Sequence, residues 1–284
     1  MARPTIEPIT LATLPEFARF LEAHMPARRS AQAWESGLRT PWASATDNFG
    51  FALRNEGAIV GGIGAFYGER LIRDQLHRTC NITSWCVLDA YRQQSVRLAM
   101  SLMSQEGLHI TNFSPTKVVS ATLKFLKFKE LDDRCAVILN VPWLGTSGAR
   151  VVADPAQIES SLRGEALRIY RDHASFPWLH HVLVGQGDQW CHVIYKRRTF
   201  KGLPAAQILH IGDSQLLAAH LRLLGAHLLR KGLISTHAEL RLLNARPPWP
   251  YAVRSGFTPK LFLSPSLRAA DIDYLYSETL ALDL

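Results

Sequence analysis

The chain has 284 residues, with Lys+Arg 32 and Asp+Glu 24 for a formal charge of +8, and it is 47% apolar and 20% charged. That balance excludes a disordered chain and describes a globular one, long enough to bury one or two cores without disulfide or metal staples. No apolar run approaches the roughly 18–20 residues that cross a bilayer, which excludes a membrane helix.

Leu14, Phe17, Ala18, Leu21 and Met25 recur at the spacing of one helical face, and Ser30 is placed to cap a second helix to Leu38. Phe49 to Arg54 and Ala58 to Tyr67 read as strands joined by the turn Asn55-Glu56-Gly57, and Asn81 to Val87 as a third strand. A helix over Ser95–Gln105, a strand over Leu108–Phe113, a helix over Thr116–Phe125 with Ser114 as cap, and a strand over Cys135–Val141 complete the first half. Trp34 and Trp42 bracket a segment ahead of the first strand and suit packing better than recognition, and Arg28-Arg29 reads as a solvated pair.

Pro142 to Pro155 is rich in Gly and Pro and marks a boundary. Beyond it the order repeats: a helix over 156–173, strands over 181–184, 190–196 and 206–211, and a leucine-rich helix over 214–230. A strand over 233–240, another over 260–263, and a final strand or helix over 274–282 follow. Two copies of an α-β-β-β-α-β-α-β unit of about 140 residues predict a tandem protein. The opening Met1 to Pro8 shows no apolar leader. Cys80, Cys86, Cys135 and Cys191 show no C-x-x-C or zinc spacing, so reduced thiols and a cytoplasmic setting are expected. Eight of the eleven histidines fall in the second half, but none stands in H-E-x-x-H or H-x-x-x-H spacing, so no metal is expected.

The most informative stretch runs from Asn81 through Arg92 to Met100. A strand ends, a short turn carries Arg92, and a helix opens at Ser95. Amides at a helix start lack intrahelical partners and the dipole favours an anion there, so the turn reads as a phosphate site flanked by Arg92 and Arg97.

This segment resembles the acyl-CoA pyrophosphate loop of the GCN5-related N-acetyltransferase (GNAT) superfamily, whose pattern is Arg/Gln-x-x-Gly-x-Gly/Ala after Val-x-Pro-x-Tyr. Arg92 takes the first position, Ser95 that of the first glycine and Arg97 that of the second, with Val87 and Tyr91 in the preceding stretch. Thr116 falls where the family often has Asn. Phe125-Leu-Lys-Phe128 falls where it has Lys-Leu-Gly-Phe, and Arg254-Ser-Gly-Phe257 is similar to that late motif. Both loop glycines are replaced. The family's common tyrosine, five residues before the phenylalanine, is Leu123 in the first half and Ala252 in the second. The second half passes from strand to helix with only Gly212 and a cap-like Asp213 or Ser214.

The resemblance implies an α/β protein of mixed α+β sheets in two tandem GNAT-like domains. Residues 1–145 would bind acyl-CoA, and 156–284 would be a degenerate copy with an acceptor-site or structural role. It implies direct transfer of an acyl group, acetyl foremost, from acyl-CoA to an amine of a small molecule or sugar, with neither a metal nor a covalent enzyme intermediate. Cys86 and Val87 would hold the pantetheine arm and polarise the thioester carbonyl. Arg92, Gln93, Gln94, Ser95, Val96, Arg97 and Thr116 would complete the acyl-CoA contacts. Glu69, His77 and Ser84 are the open candidates for moving the proton. A membrane and a nucleic acid are not the expected partners. Two rival readings stand beside this one. A Fem-type aminoacyl transferase also pairs two GNAT-like halves, and the +8 charge would suit aminoacyl-tRNA. A degenerate, non-catalytic scaffold would explain the missing glycines and tyrosine.

Overall fold

Leu14, Phe17, Ala18 and Leu21 are all fully buried on α1 (Leu14–His24), as their helical spacing requires. The computed structural model describes residues 3–26, 29–42, 48–143, 145, 148–244, 247 and 250–283. Arg28, and Leu144, Thr146 and Ser147 of the boundary segment, lie outside the described residues. Ahead of α1 runs β1 (Thr5–Pro8), which the sequence reading lacked; four residues ending in proline carry little strand signal, and an outer strand accommodates the proline. The cap on α2 (Ala31–Leu38) is as expected, with Ser30 Oγ accepting the Ala33 N–H at 3.2 Å.

Then come β2 (Gly50–Asn55), β3 (Ala58–Ile72) and β4 (Gln75–Val87). The last two extend beyond the predicted strands because they meet in a two-residue hairpin at Arg73 and Asp74, with φ of 51° and 61°. Left-handed conformations at both central residues suit such a turn, but without the usual Asn-Gly they leave no sequence signal. A 3-10 helix over Asp89–Gln94 leads into α3 (Ser95–Met103), then β5 (Leu108–Asn112) and α4 (Lys117–Phe125). The cap of α4 is Thr116, whose Oγ1 accepts the Val119 N–H at 3.3 Å, in place of the expected Ser114.

Next are β6 (Lys129–Glu130), β7 (Cys135–Leu139) and β8 (Arg150–Val152). The single helix expected over 156–173 is two, α5 (Pro155–Ser161) and α6 (Gly164–His173), separated where Gly164 takes φ +53°. The chain continues through β9 (Leu179–Gln186), β10 (Gln189–Phe200), β11 (Leu203–Ile211), α7 (Ser214–Arg230) and β12 (Ser235–Glu239). It ends with α8 (Leu240–Leu243), β13 (Ala252–Arg254), β14 (Leu261–Leu263) and α9 (Glu278–Ala281).

Among the described residues the strands form two seven-stranded sheets, ordered β1-β2-β3-β4-β5-β14-β6 and β13-β7-β12-β11-β10-β9-β8. Each contains one parallel pair, β4 with β5 and β11 with β12, amid antiparallel neighbours. The sheets exchange strands along the chain. The sequence places β7 in the first half and β14 in the second, yet β7 lies beside β12 and β14 beside β5. The two compact units accordingly comprise 1–131 with 258–267 and 276–284, and 132–257 with 268–275; we call them unit 1 and unit 2.

In unit 1, Ile82, Cys80, Leu98, Ala99 and Leu102 pack β4 against α3. The other face of the sheet is built for close approach. A Cβ added at Gly62 would come within 2.4 Å of the Phe17 ring, and one at Gly68 within 2.5 Å of the Tyr276 ring. The missing side chains let α1 and the C-terminal segment lie on the strands. Trp42 closes this layer, donating its Nε1–H to Tyr67 O at 2.8 Å and meeting Tyr276 edge-on at 5.2 Å. Trp34 and Trp42 are thus packing residues. In unit 2, Leu217, Leu221, Leu224 and Leu228 form the buried stripe of α7 over Val182, Val193 and Ile208.

Candidate functional site

The parallel pairing of β4 with β5 in unit 1 lasts for four residues, Arg78–Asn81 against Leu108–Thr111. Beyond it β4 runs on to Val87 while β5 ends at Asn112, so the strands part and leave β4 with an open side. Side-chain amides hold the apex of the gap. Asn81 Nδ2 donates to Thr111 Oγ1 at 3.0 Å and Asn112 Nδ2 to Ile82 O at 3.2 Å. They supply bonds that a continuing ladder would have made.

Just past the apex the β3–β4 register slips between Gly62 and Gly64, and Ser84 takes φ +47°. A left-handed non-glycine residue at a bulge costs about 1–2 kcal/mol, and such strain concentrates at functional sites. Ser84 Oγ lies 3.3 Å from Thr83 Oγ1. Downstream, Leu88 N–H donates to Val60 O at 3.0 Å. Val87 and Gly61 are therefore a non-hydrogen-bonded pair, and Val87 directs its own N–H toward the open side. Cys86, one residue back, turns its backbone to β3, so of the two expected contacts Val87 alone presents an amide. The Cys86 thiol approaches His24 O at 3.7 Å, and burial pushes its pKa up, away from the thiolate form that a nucleophile needs.

A carboxyl group with no sequence motif also reaches the apex. Glu278, at the start of α9, is 0% exposed. Its N–H donates to Asn81 Oδ1 at 2.9 Å, and its Oε1 accepts the Phe113 N–H at 3.2 Å and the Ser114 hydroxyl at 3.0 Å. Oε2 is buried without a hydrogen-bond partner. Burial pushes the pKa from the ordinary 4.5 up to about 7, against the pull of those donors. A carboxyl poised near neutrality suits acid–base work.

The loop after β4 is a 3-10 helix that feeds α3 without a break. Ser95 is already helical and its N–H donates to Arg92 O, so that amide is taken. The Arg92 guanidinium is exposed and pairs with Asp89 at 2.8 Å. Arg97 turns back, donating to Gln94 Oε1 at 2.8 Å and Pro4 O at 3.3 Å. Tyr91 Oη accepts from Asn55 Nδ2 at 3.0 Å and ties the loop to the β2–β3 hairpin. The loop thus presents an exposed charge at Arg92 and a bonded amide at Ser95.

No family model matches the chain, and no curated protein matches it. Solved structures do. A GCN5-related N-acetyltransferase from Anabaena variabilis superposes with a TM-score of 0.59 at 12% identity, over 92% of this chain and 72% of that one. A conserved protein of Enterococcus faecalis described as a probable N-acyltransferase gives 0.59 at 10% identity, over 92% and 72%. A GCN5-related N-acetyltransferase from Kribbella flavida gives 0.59 at 14%, over 92% and 70%. The chain has the GNAT fold.

Within the GNAT fold the three proton-handling candidates separate. Ser84 sits at the bulge beside the gap. Glu69 stands opposite Arg78, and His77 opposite Arg70, on the far side of the paired stretch. His77 precedes Ile82 by five residues, roughly 17 Å along a strand. It shares a 3.0 Å hydrogen bond with His109, whose Nδ1 lies 2.8 Å from Ser264 Oγ. The structure does not bring Glu69 or His77 to the gap. Of the loop residues, Gln93 is exposed and Gln94, Ser95, Val96 and Arg97 are partly buried, while Thr116 spends its hydroxyl as the α4 cap. Glu278 escaped the sequence reading because it is nearly 200 residues from Asn81 and follows no pattern; a lone glutamate between the Tyr274–Tyr276 and Leu280–Leu282 apolar runs was its one trace.

Unit 2 repeats the bulge and the short parallel pairing. The register slips between Ile194 and Tyr195, and β11 meets β12 only over Ala205–Gln207. Its helix start differs. Asp213 accepts the Gln215 and Leu216 N–H groups at 3.0 and 2.9 Å, which places a carboxylate where an anion would bind. Four buried histidines lie in this unit. His181 Nδ1 is 3.1 Å from His192 Nε2, and His210 Nδ1 is 2.9 Å from Asp273. Among the described residues no group of three or more His, Cys, Asp or Glu is arranged to hold a metal.

Proposed function

We propose that the chain is an acyl-CoA-dependent N-acyltransferase that moves an acyl group, acetyl foremost, to an amine of a small molecule or sugar. The observation that carries this reading is the opening between β4 and β5 at Asn81/Thr111, with the Val87 N–H along its edge. Unit 1 is assigned the acyl-CoA. Unit 2 keeps the sheet order but sets Asp213 against a phosphate, and it is assigned a structural or acceptor-shaping role.

In the proposed reaction the pantetheine arm lies along β4 as a short strand and accepts the Val87 N–H. The Glu278 carboxylate takes the proton of the acceptor ammonium through the exposed Ser114 hydroxyl, which donates to its Oε1 at 3.0 Å. The amine nitrogen attacks the thioester carbonyl, and the backbone N–H groups of the bulge meet the developing oxyanion. The C–N bond forms as the C–S bond breaks, and the departing CoA thiolate takes a proton that the nitrogen releases, relayed by the Ser84 hydroxyl. The donor set needs no metal for this step.

The test is release of free CoA thiol from acetyl-CoA with a panel of amines and amino sugars. Amine-dependent release, with kcat falling about a hundredfold in Glu278→Gln and KM for acetyl-CoA unchanged, supports the assignment. Release that is independent of amine, or undiminished in the variant, removes Glu278 from the chemistry.

A further inference from the structure

The β8 strand pairs with β9 only at Leu183, Val184 and Gly185, so Leu179–Val182 have no strand partner on that side. A cavity of ≈ 370 Å³ opens there, within unit 2 and outside the acyl-transfer site. Its size is that of a small-molecule pocket. Ala153, Pro155 and Ile158 supply an apolar wall. Two aromatic pairs supply others. His180 stacks on Tyr195 with centroids 5.0 Å apart, and Tyr170 meets His181 edge-on at 5.2 Å.

The polar lining has one sign. Every polar side chain on it can donate a hydrogen bond, Arg197 and Lys231 can do nothing else, and none is Asp or Glu. Asp154, between two lining residues, caps α5 by accepting the Gln157 N–H at Oδ1. Arg197 donates Nη2–H to Lys231 O at 2.8 Å, which anchors its guanidinium beside the Lys231 backbone. His227 Nε2 is buried without a partner. His181 shares one proton with His192 across their 3.1 Å contact. An acceptor-rich occupant completes such donors. Burial holds His181 at a pKa of about 4 and lowers His180 and His227, so at neutral pH these rings are uncharged donors and the positive charge is that of Arg197 and Lys231.

We propose that this cavity is a second binding site, for a small aromatic carboxylate, with the ring held between the His180/Tyr195 and Tyr170/His181 pairs and the carboxylate met by Arg197 and Lys231. The site belongs to unit 2 and does not depend on the acyltransferase reading.

The test is calorimetric titration of the full chain, without acyl-CoA, using 2-naphthoate as the probe and 2-naphthylmethanol as its neutral counterpart. The expected result is that naphthoate binds about tenfold or more tightly than the alcohol, and that Arg197→Ala with Lys231→Ala abolishes this preference. Both replaced residues are exposed, so the fold is preserved. Ala174→Trp, an exposed wall residue whose replacement fills the space and leaves the charges in place, should block both compounds. Saturating acetyl-CoA should leave naphthoate affinity unchanged, which separates this site from the other. Equal binding of acid and alcohol overturns the proposal. So does an absence of naphthoate binding, or binding that survives Ala174→Trp.

Discussion

Replacing Glu278 by Gln tests the buried carboxyl through stability as well as activity. With a pKa near 7 in the folded protein and 4.5 when exposed, the group holds its proton in the fold across that interval and loses it in the unfolded chain. The folded state then binds the extra proton, so stability falls as pH rises from 4.5 to 7 and is level on either side. At 1.36 kcal/mol per unit, the interval corresponds to about 3 kcal/mol. Gln retains an oxygen for the Phe113 N–H and Ser114 hydroxyl and removes the titration. Urea unfolding of both proteins at pH 5 and pH 8 is the assay. The variant should gain about 2.5 kcal/mol on the wild type between the two, since pH 5 already lies inside the interval, whatever constant offset its amide introduces. A difference that does not change with pH would refute the claim that an ionisable, desolvated carboxyl stands at the apex of the gap.

Other consequences follow from the same geometry. Gly68→Ala drives a methyl group into the Tyr276 ring and should cost about 1–3 kcal/mol in thermal or urea unfolding, whereas Gly57→Ala, with open space at its Cβ but a left-handed φ, should cost about 1. Ser84→Gly relieves the left-handed strain and should raise stability by about 1 kcal/mol while lowering kcat; a variant that is more stable and fully active would take the Ser84 hydroxyl out of the mechanism. Arg92→Ala should weaken acetyl-CoA binding in a salt-dependent way, whereas Arg97→Ala, which severs the contacts to Gln94 and Pro4, should show in unfolding rather than in affinity.

What the sequence made legible was local. The Ser30 cap, the strand–helix order around Asn81 to Met103, and the leucine stripe of α7 follow from periodicity and capping, which act over a few residues. The pairing of β7 with β12 and of β14 with β5 was not legible. A strand's apolar pattern says which face is buried but not which edge it joins, and both partners lie a hundred or more residues away. The Arg73-Asp74 turn was hidden for another reason, since its left-handed residues are held by the strands they join. At the site, Ser84 and Val87 came from the motif-bearing strand, but Glu69 and His77 share that hairpin without sharing the gap. Glu278 emerged only when α9 folded back on Asn81. The helical turn before Ser95 was not legible either: the segment carrying Arg92 coils into a 3-10 helix, and the Ser95 N–H bonds to Arg92 O.

The central claim is that an acyl-CoA arm lies along the open side of β4. Val87 offers the most direct handle on it, because its N–H serves neither β3 nor a helix. Calorimetric titration with acetyl-CoA should compare the wild type with Val87→Ala, which keeps that amide, and Val87→Pro, which deletes it. The account predicts binding by the wild type and the alanine variant, and a loss of roughly threefold to tenfold in the proline variant with its fold intact by circular dichroism. Wild-type protein that does not bind acetyl-CoA, or a proline variant that binds it as tightly as the alanine variant, would contradict it.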